Sequence, residues 1–197
     1  KLPPYLRAAV RKRVKRGDCS IGRERKRGAV EDYANFLYSC CDKDFSRLFN
    51  FDGFEKPKYF ITLDADSVLQ PKGVLRAVNV FSHEENEKYD LLAFDGKTNA
   101  FSLKTAYARL FHGGDGYEIY PAYSNLFYNL AGKSIFTGKG IFNLERYVEK
   151  LSGVLPENRV LSHDIIEGAI LNTGASGVPV YEDAPLCFSS DENRRLR

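Results

Sequence analysis

Along this 197-residue chain the apolar positions change period several times, and each change marks a predicted element. In "GAVEDYANFLYSC", Val30, Tyr33, Ala34 and Leu37 recur at helical spacing and predict a helix. Residues 42–57 are polar, hold Gly53 and Pro57, and read as a loop. Residues 59–63 form a short unbroken apolar run, the pattern of a buried parallel strand rather than a half-exposed one. In "PKGVLRAVNVF", Pro71 suits a first helical turn, with Leu75, Val78 and Val80 beyond it. Residues 91–94 predict another strand. "FHGGDGYEIYP" reads as a glycine-rich loop and residues 123–130 as a helix. "SIFTGKGIF" is apolar on both sides of a Gly-Lys-Gly turn. Asn143 can cap "LERYVEKL", with Gly153 closing it. Ser162 can cap a helix beginning near Asp164 and ending before Gly174, and residues 178–181 make a last short strand. Strands alternating with helices predict an α/β fold with a mostly parallel sheet.

Composition narrows the class. The length suits a single domain with a real core, and the many Tyr and Phe argue against disorder. No apolar run reaches the roughly 20 residues of a membrane span. The start, "KLPPYLRAAVRKRVKRGD", lacks the apolar region of a signal peptide. The chain opens at Lys1 without Met, which reads as a segment of something longer. Cys19, Cys40, Cys41 and Cys187 form no CxxC pair, so a zinc site is not expected, and adjacent Cys40 and Cys41 read as reduced thiols. Charge is uneven. Residues 1–27 carry eleven Lys and Arg against Asp18 and Glu24, leaving +9 there and −6 in the remainder. Residues 1–21 therefore read as a basic linker or helical lead-in to a core over 22–197. Such a block either attracts an anionic partner or is a solvated helix.

The candidate chemistry centres on "YFITLDADSVL". Asp64 and Asp66 follow a strand, and ligands of open α/β sheets sit beyond strand carboxyl ends. Two carboxylates at i and i+2 can face one Mg²⁺ or Mn²⁺ from a turn; alternatively they only cap the next helix. A calcium EF-hand fails, because Val68 and Leu69 stand where a third oxygen ligand and a glycine belong. A phosphatase of the haloacid dehalogenase type uses DxDx[TV], which "DADSV" fits; Asp64 would then be the nucleophile and Asp66 the acid/base. That family also needs a Lys and a later acidic pair, and no convincing pair stands out. The third reading is a nucleotide-sugar glycosyltransferase, which needs a carboxylate base for the acceptor and cations at the diphosphate. Asp164, one hundred residues beyond Asp64, can be that base. Lys26 and Arg27, before Gly28 at a helix start, can face an anion. "GKS" at 132–134 fails as a P-loop, since Phe127 stands at the first glycine, and "HGGDG" has no ligand cluster nearby.

"GRERKRGAVEDYANFL", "YFITLDADSVL", "YARLF", "SIFTGKGIFNLERY" and "LPENRVLSHDIIEGA" occur in that order, and together they resemble the glycosyltransferase domain of cyclic β-1,2-glucan synthases. The resemblance implies a glycosyltransferase A fold related to cellulose and chitin synthases, here truncated at both ends, with the isolated piece inactive or nearly so. It implies inverting transfer of glucose from UDP-glucose to the 2-hydroxyl of a growing β-glucan acceptor. The expected setting is a larger, membrane-embedded bacterial synthase, with this portion at the cytoplasmic face of the inner membrane and no nucleic acid partner. By the same analogy Asp64 and Asp66 hold UDP and Mg²⁺ or Mn²⁺, while Lys26, Arg27 and Gly28 line the donor side. Thr137, Gly138 and Lys139 shape the acceptor end with His163, which also tunes Asp164 or touches the donor. Asp164 is the base. The other readings are the phosphatase and a non-catalytic basic binding module.

Overall fold

The computed structural model describes residues 13–16, 19–22, 25–39, 56–113, 126, 128–156, 159–160 and 163–195. In chain order the elements are β1 (Arg13–Arg16), β2 (Cys19–Gly22), α1 (Arg25–Ser39), β3 (Tyr59–Thr62), β4 (Val68–Leu69), α2 (Gly73–Phe81), β5 (Leu91–Thr98), α3 (Ala106–His112), β6 (Gly140–Asn143), α4 (Leu144–Leu151), α5 (Asp164–Ile170), β7 (Thr173–Glu182) and α6 (Phe188–Arg195). The fold is α/β. By contacts the chain divides into two units, residues 1–60 with 142–171 and residues 61–141 with 172–197. The division falls inside β3 and inside β6.

In the first unit, β1 and β2 pair antiparallel with Arg16 opposite Cys19, where a helical lead-in is expected. Helix α1 buries Arg27, Ala34, Phe36 and Leu37, while Tyr33 is exposed; the inward stripe is rotated from the one its apolar spacing suggests. Helix α4 buries Leu144, Tyr147 and Leu151, one face at i, i+3 and i+7. Its start matches expectation: the Asn143 side chain accepts from the Arg146 N–H at 3.2 Å. After it, Gly153 takes φ 72°, and its N–H donates to the Glu31 carboxylate of α1 at 2.9 Å. Ser152 Oγ donates to Asn35 Oδ1 at 3.0 Å, a second tie to α1. Phe60 stacks on Phe142 at 4.8 Å between ring centroids, and both meet Tyr147 edge-on at 5.1 and 5.4 Å.

The second unit holds most of a five-stranded sheet with the order β3-β6-β5-β7-β4. Central β5 is buried on both faces over its first half, with Leu91, Leu92, Ala93 and Phe94 all inside. By contrast β3 alternates half-buried and buried positions, so its apolar run over-states its burial. β5 and β7 run parallel, but Val68 and Leu69 of β4 pair antiparallel with Tyr181 and Val180. The sheet is therefore mixed, a correction to the mostly parallel sheet expected. The reason is tertiary: β4 adds to the edge of β7, a strand distant in sequence, so no short connection between the two fixes their relative direction.

Two other elements differ from expectation. Pro71 lies before α2, because Gln70–Gly73 forms a turn closed by Gly73 N–H to Gln70 O at 2.8 Å. Lys72 there takes φ 64°, the left-handed third position of a type II turn whose second position favours proline. The buried face of α2 is then Gly73, Ala77 and Phe81, and Leu75 is exposed. Strand β7 begins at Thr173, five residues earlier than predicted, because it runs through an irregularity facing 93–95 of β5. Ser176 Oγ donates to Ala93 O at 2.8 Å and accepts from Val178 N–H at 3.1 Å, replacing ladder bonds lost there. Pro179 is tolerated at such a bulge. Of the glycine-rich loop only the first part is described; Ser162, Cys40, Cys41, residues 42–55 and most of 123–127 lie outside the described residues.

Candidate functional site

The second unit gathers acidic side chains at a strand end. Asp64 follows β3, and Ser67 N–H donates to Asp64 O at 3.1 Å, closing a turn over Asp64–Ser67. Asp64 and Asp66 occupy the first and third positions of this turn, and both come near Glu182, the last residue of β7. One carboxylate oxygen from each of the three lies within 4.8 Å of the others. Three hard oxygen donors at this spacing fit Mg²⁺ or Mn²⁺, whose remaining positions water or phosphate oxygens would fill.

Lys139 enters the same cluster from the TGKG turn. Gly138 takes φ 87°, a conformation that a side chain disfavours, and its carbonyl accepts from Thr62 Oγ1 at 3.1 Å. A Cβ at Gly140 would stand 2.6 Å from the Leu92 carbonyl, so glycine lets β6 approach β5 here. The Lys139 side chain, 6% exposed, sets its ammonium 3.7 Å from Asp64 Oδ2 and in direct contact with Glu182 Oε1. Glu182 also accepts from Ser67 Oγ at 3.2 Å and from Arg194 Nη2 of α6 at 2.9 Å. Asp66 is exposed and borders an open groove of about 890 Å³ that runs past Lys104, Asp183, Leu186 and Asn193. The carboxylates are thus open to solvent on the Asp66 side and closed by Lys139 on the other.

The resemblance puts Thr137, Gly138 and Lys139 at an acceptor end; in the structure Lys139 belongs to the carboxylate cluster, Gly138 is buried and Thr137 is half-buried. Neither Glu182 nor the Lys139 pairing was anticipated. The available signal for Glu182 was an acidic residue at the carboxyl end of "VPVY", the position where ligands of open sheets gather.

In the first unit, Asp164 opens α5, preceded by His163 as the capping residue. His163 Nδ1 lies 3.3 Å from Asp164 Oδ1 and 3.1 Å from Glu167 Oε1. Glu167 is buried, His163 and Asp164 partly so. One ring nitrogen of His163 thus faces two carboxylates. Glu167 was not anticipated, although its i, i+4 spacing from His163 is plain in "HDIIE". Burial first, then the charges of Glu167 and Glu31, push the Tyr147 hydroxyl well up, so it stays protonated. Lys26, Arg27 and Gly28 lie in the first turn of α1. Arg27 is buried and donates to the Leu155 carbonyl at 3.4 Å. Of the rest of the basic block, Arg13, Lys15 and Arg16 lie in β1 and Arg25 opens α1, while Lys1, Arg7, Arg11, Lys12 and Arg23 lie outside the described residues.

His112, which sequence places in a loop, ends α3 and is buried with Asp191, its Nε2 3.6 Å from Oδ2. Tyr107 donates to the same oxygen at 2.8 Å, so this group ties α3 to α6. Cys187 is exposed as a free thiol.

Among the described residues no helix is long and apolar enough to cross a membrane. No protein-family model matches the chain. The chain is similar to the cyclic beta-(1,2)-glucan synthase NdvB of Rhizobium meliloti (strain 1021), 28% identical over 193 residues. That alignment takes in 90% of this chain and 7% of the length of the curated relative.

Proposed function

We propose that this chain is part of an inverting glucosyltransferase that uses UDP-glucose to extend a β-glucan, within a larger membrane-associated synthase acting at the cytoplasmic face. The observation that carries it is the convergence of Asp64, Asp66 and Glu182 at a strand end with Lys139 against them. The similarity to a glucan synthase supports the same reading. A divalent ion held there would offset charge that accumulates on the leaving diphosphate.

The protein's own residues divide the remaining work. Asp64 and Asp66 orient the donor diphosphate, with Lys26, Arg27 and Gly28 on the donor side. Thr137, Gly138 and His163 serve the acceptor side. Asp164 takes the proton from the acceptor hydroxyl as its oxygen attacks the anomeric carbon. The bond from that carbon to the diphosphate breaks, and UDP leaves with the electron pair. Inversion follows from attack opposite the leaving group. His163 lies against the Asp164 carboxylate, and Glu167 faces the same ring nitrogen.

The test is calorimetry with UDP-glucose, with and without Mn²⁺, beside a transfer assay. Asp164→Asn is expected to lower transfer by roughly 10²–10⁴-fold, the range for losing a general base, with UDP binding kept. Retained polymer synthesis would remove Asp164 from the mechanism.

A second reading has one specific support. Lys139 against Asp64, with Glu182 ending β7 and Asp183 next to it in the chain, is also the complement that a phosphatase with an Asp64 nucleophile would use. Hydrolysis of a simple phosphoester that disappears in Asp64→Asn would favour it over sugar transfer.

A further inference from the structure

The carboxylate cluster of the second unit contains its own cation. Lys139 reaches Asp64 and Glu182 from the protein side, and Arg194 holds the other oxygen of Glu182. Asp66, on the groove side, completes the set. Three carboxylates and two cations leave a formal charge of −1. That is little to hold a bare divalent ion, which must give up water to bind. We propose that Lys139 is the resident counter-ion of Asp64 and Glu182 and competes with a divalent ion for them, so that the ion binds tightly only together with a diphosphate. The inference rests on the metal-assisted donor reading above and adds a regulation of that site.

The physical reason lies in burial. The Lys139 ammonium has exchanged water for two carboxylates, and removing it would leave Glu182 with Ser67 and Arg194 alone. An ion entering beside Asp66 must share Asp64 with that ammonium and meets a like charge across a short, partly dry gap. A diphosphate changes both conditions. Its oxygens supply negative charge for the ion, and they offer the ammonium a second set of acceptors. The donor would then be recognised as a metal–diphosphate pair, and free metal would be held off while no donor is present.

The test is a Mn²⁺ titration of the full chain, following the resonance signal of free aqueous Mn²⁺, with and without UDP. Without UDP, Lys139→Gln is expected to bind Mn²⁺ at least ~10-fold more tightly than the unsubstituted protein, because one nearby like charge is gone. Lys139→Arg should stay close to the unsubstituted value, and saturating UDP should narrow the difference. Lys139→Met keeps the apolar stem and serves if the Gln variant does not fold, with a thermal melt checking each. Equal or weaker Mn²⁺ binding by the neutral variants overturns the competition and leaves the donor reading standing. Absence of Mn²⁺ binding in every form, even with UDP, overturns both.

Discussion

Asp95 carries a cost that its neighbours show. It is half-buried on β5, opposite Pro179 at the strand irregularity, and burial raises its carboxyl above the ordinary range, with Lys97 pulling weakly the other way. A carboxyl whose folded value is raised binds a proton more readily in the native state. Its contribution is therefore most favourable below the unfolded value of about 3.9 and is lost as pH rises through the raised folded value. At neutral pH the ionised group opposes folding. Asp95→Asn is expected to stabilise the protein at pH 7 and to change it little at pH 4; urea unfolding at both pH values checks the sign. Asp64 and Asp66 are legible one residue at a time, because "DADSV" after an apolar run already marks a pair of carboxylates at a strand end. Glu182 and Lys139 are not, because each looks like an ordinary charged residue until the strands place them together.

Among the elements, α4 was readable from end to end. Its cap, its buried stripe and its closing glycine all depend on residues within a few positions of one another. Asn143→Ala should cost about 1 kcal/mol, the usual price of a lost cap, measured as a shift of the denaturation midpoint at unchanged slope. Strand β7 was only half readable. Gly174, Gly177 and Pro179 all argue against a strand locally, yet pairing with β5 carries the chain through them. Ser176 makes that possible, so Ser176→Ala should cost roughly 1–3 kcal/mol by leaving buried backbone groups unsatisfied. A loss within error of zero would show that other groups satisfy them. The same override explains β4, a two-residue strand that exists through its antiparallel pairing with the distant β7.

At the level of the molecule, the two candidate groups fall in different units: the carboxylates with Lys139 in one, His163, Asp164 and Glu167 in the other. Binding to the native state raises its stability by mass action, about 2.7 kcal/mol at a ligand concentration of 100 Kd. Mn²⁺ with UDP is therefore expected to raise the melting temperature, and a chelator to reverse most of the rise. Asp64→Asn and Asp66→Asn should lose the shift, whereas Asp164→Asn should keep it. A shift that survives in the Asp64 and Asp66 variants would move the donor away from this cluster.

From its sequence alone the chain declares an α/β class, the helices α1, α2 and α4, the central strand β5, and a paired-aspartate turn after β3. These follow from period, capping and turn chemistry, which act over a few residues. Tertiary structure alone decides that the sheet is mixed, that β7 runs through its bulge, and that Glu182 and Lys139 join Asp64 and Asp66. Those outcomes depend on strand register and burial, where groups distant in sequence satisfy one another's charges and hydrogen bonds.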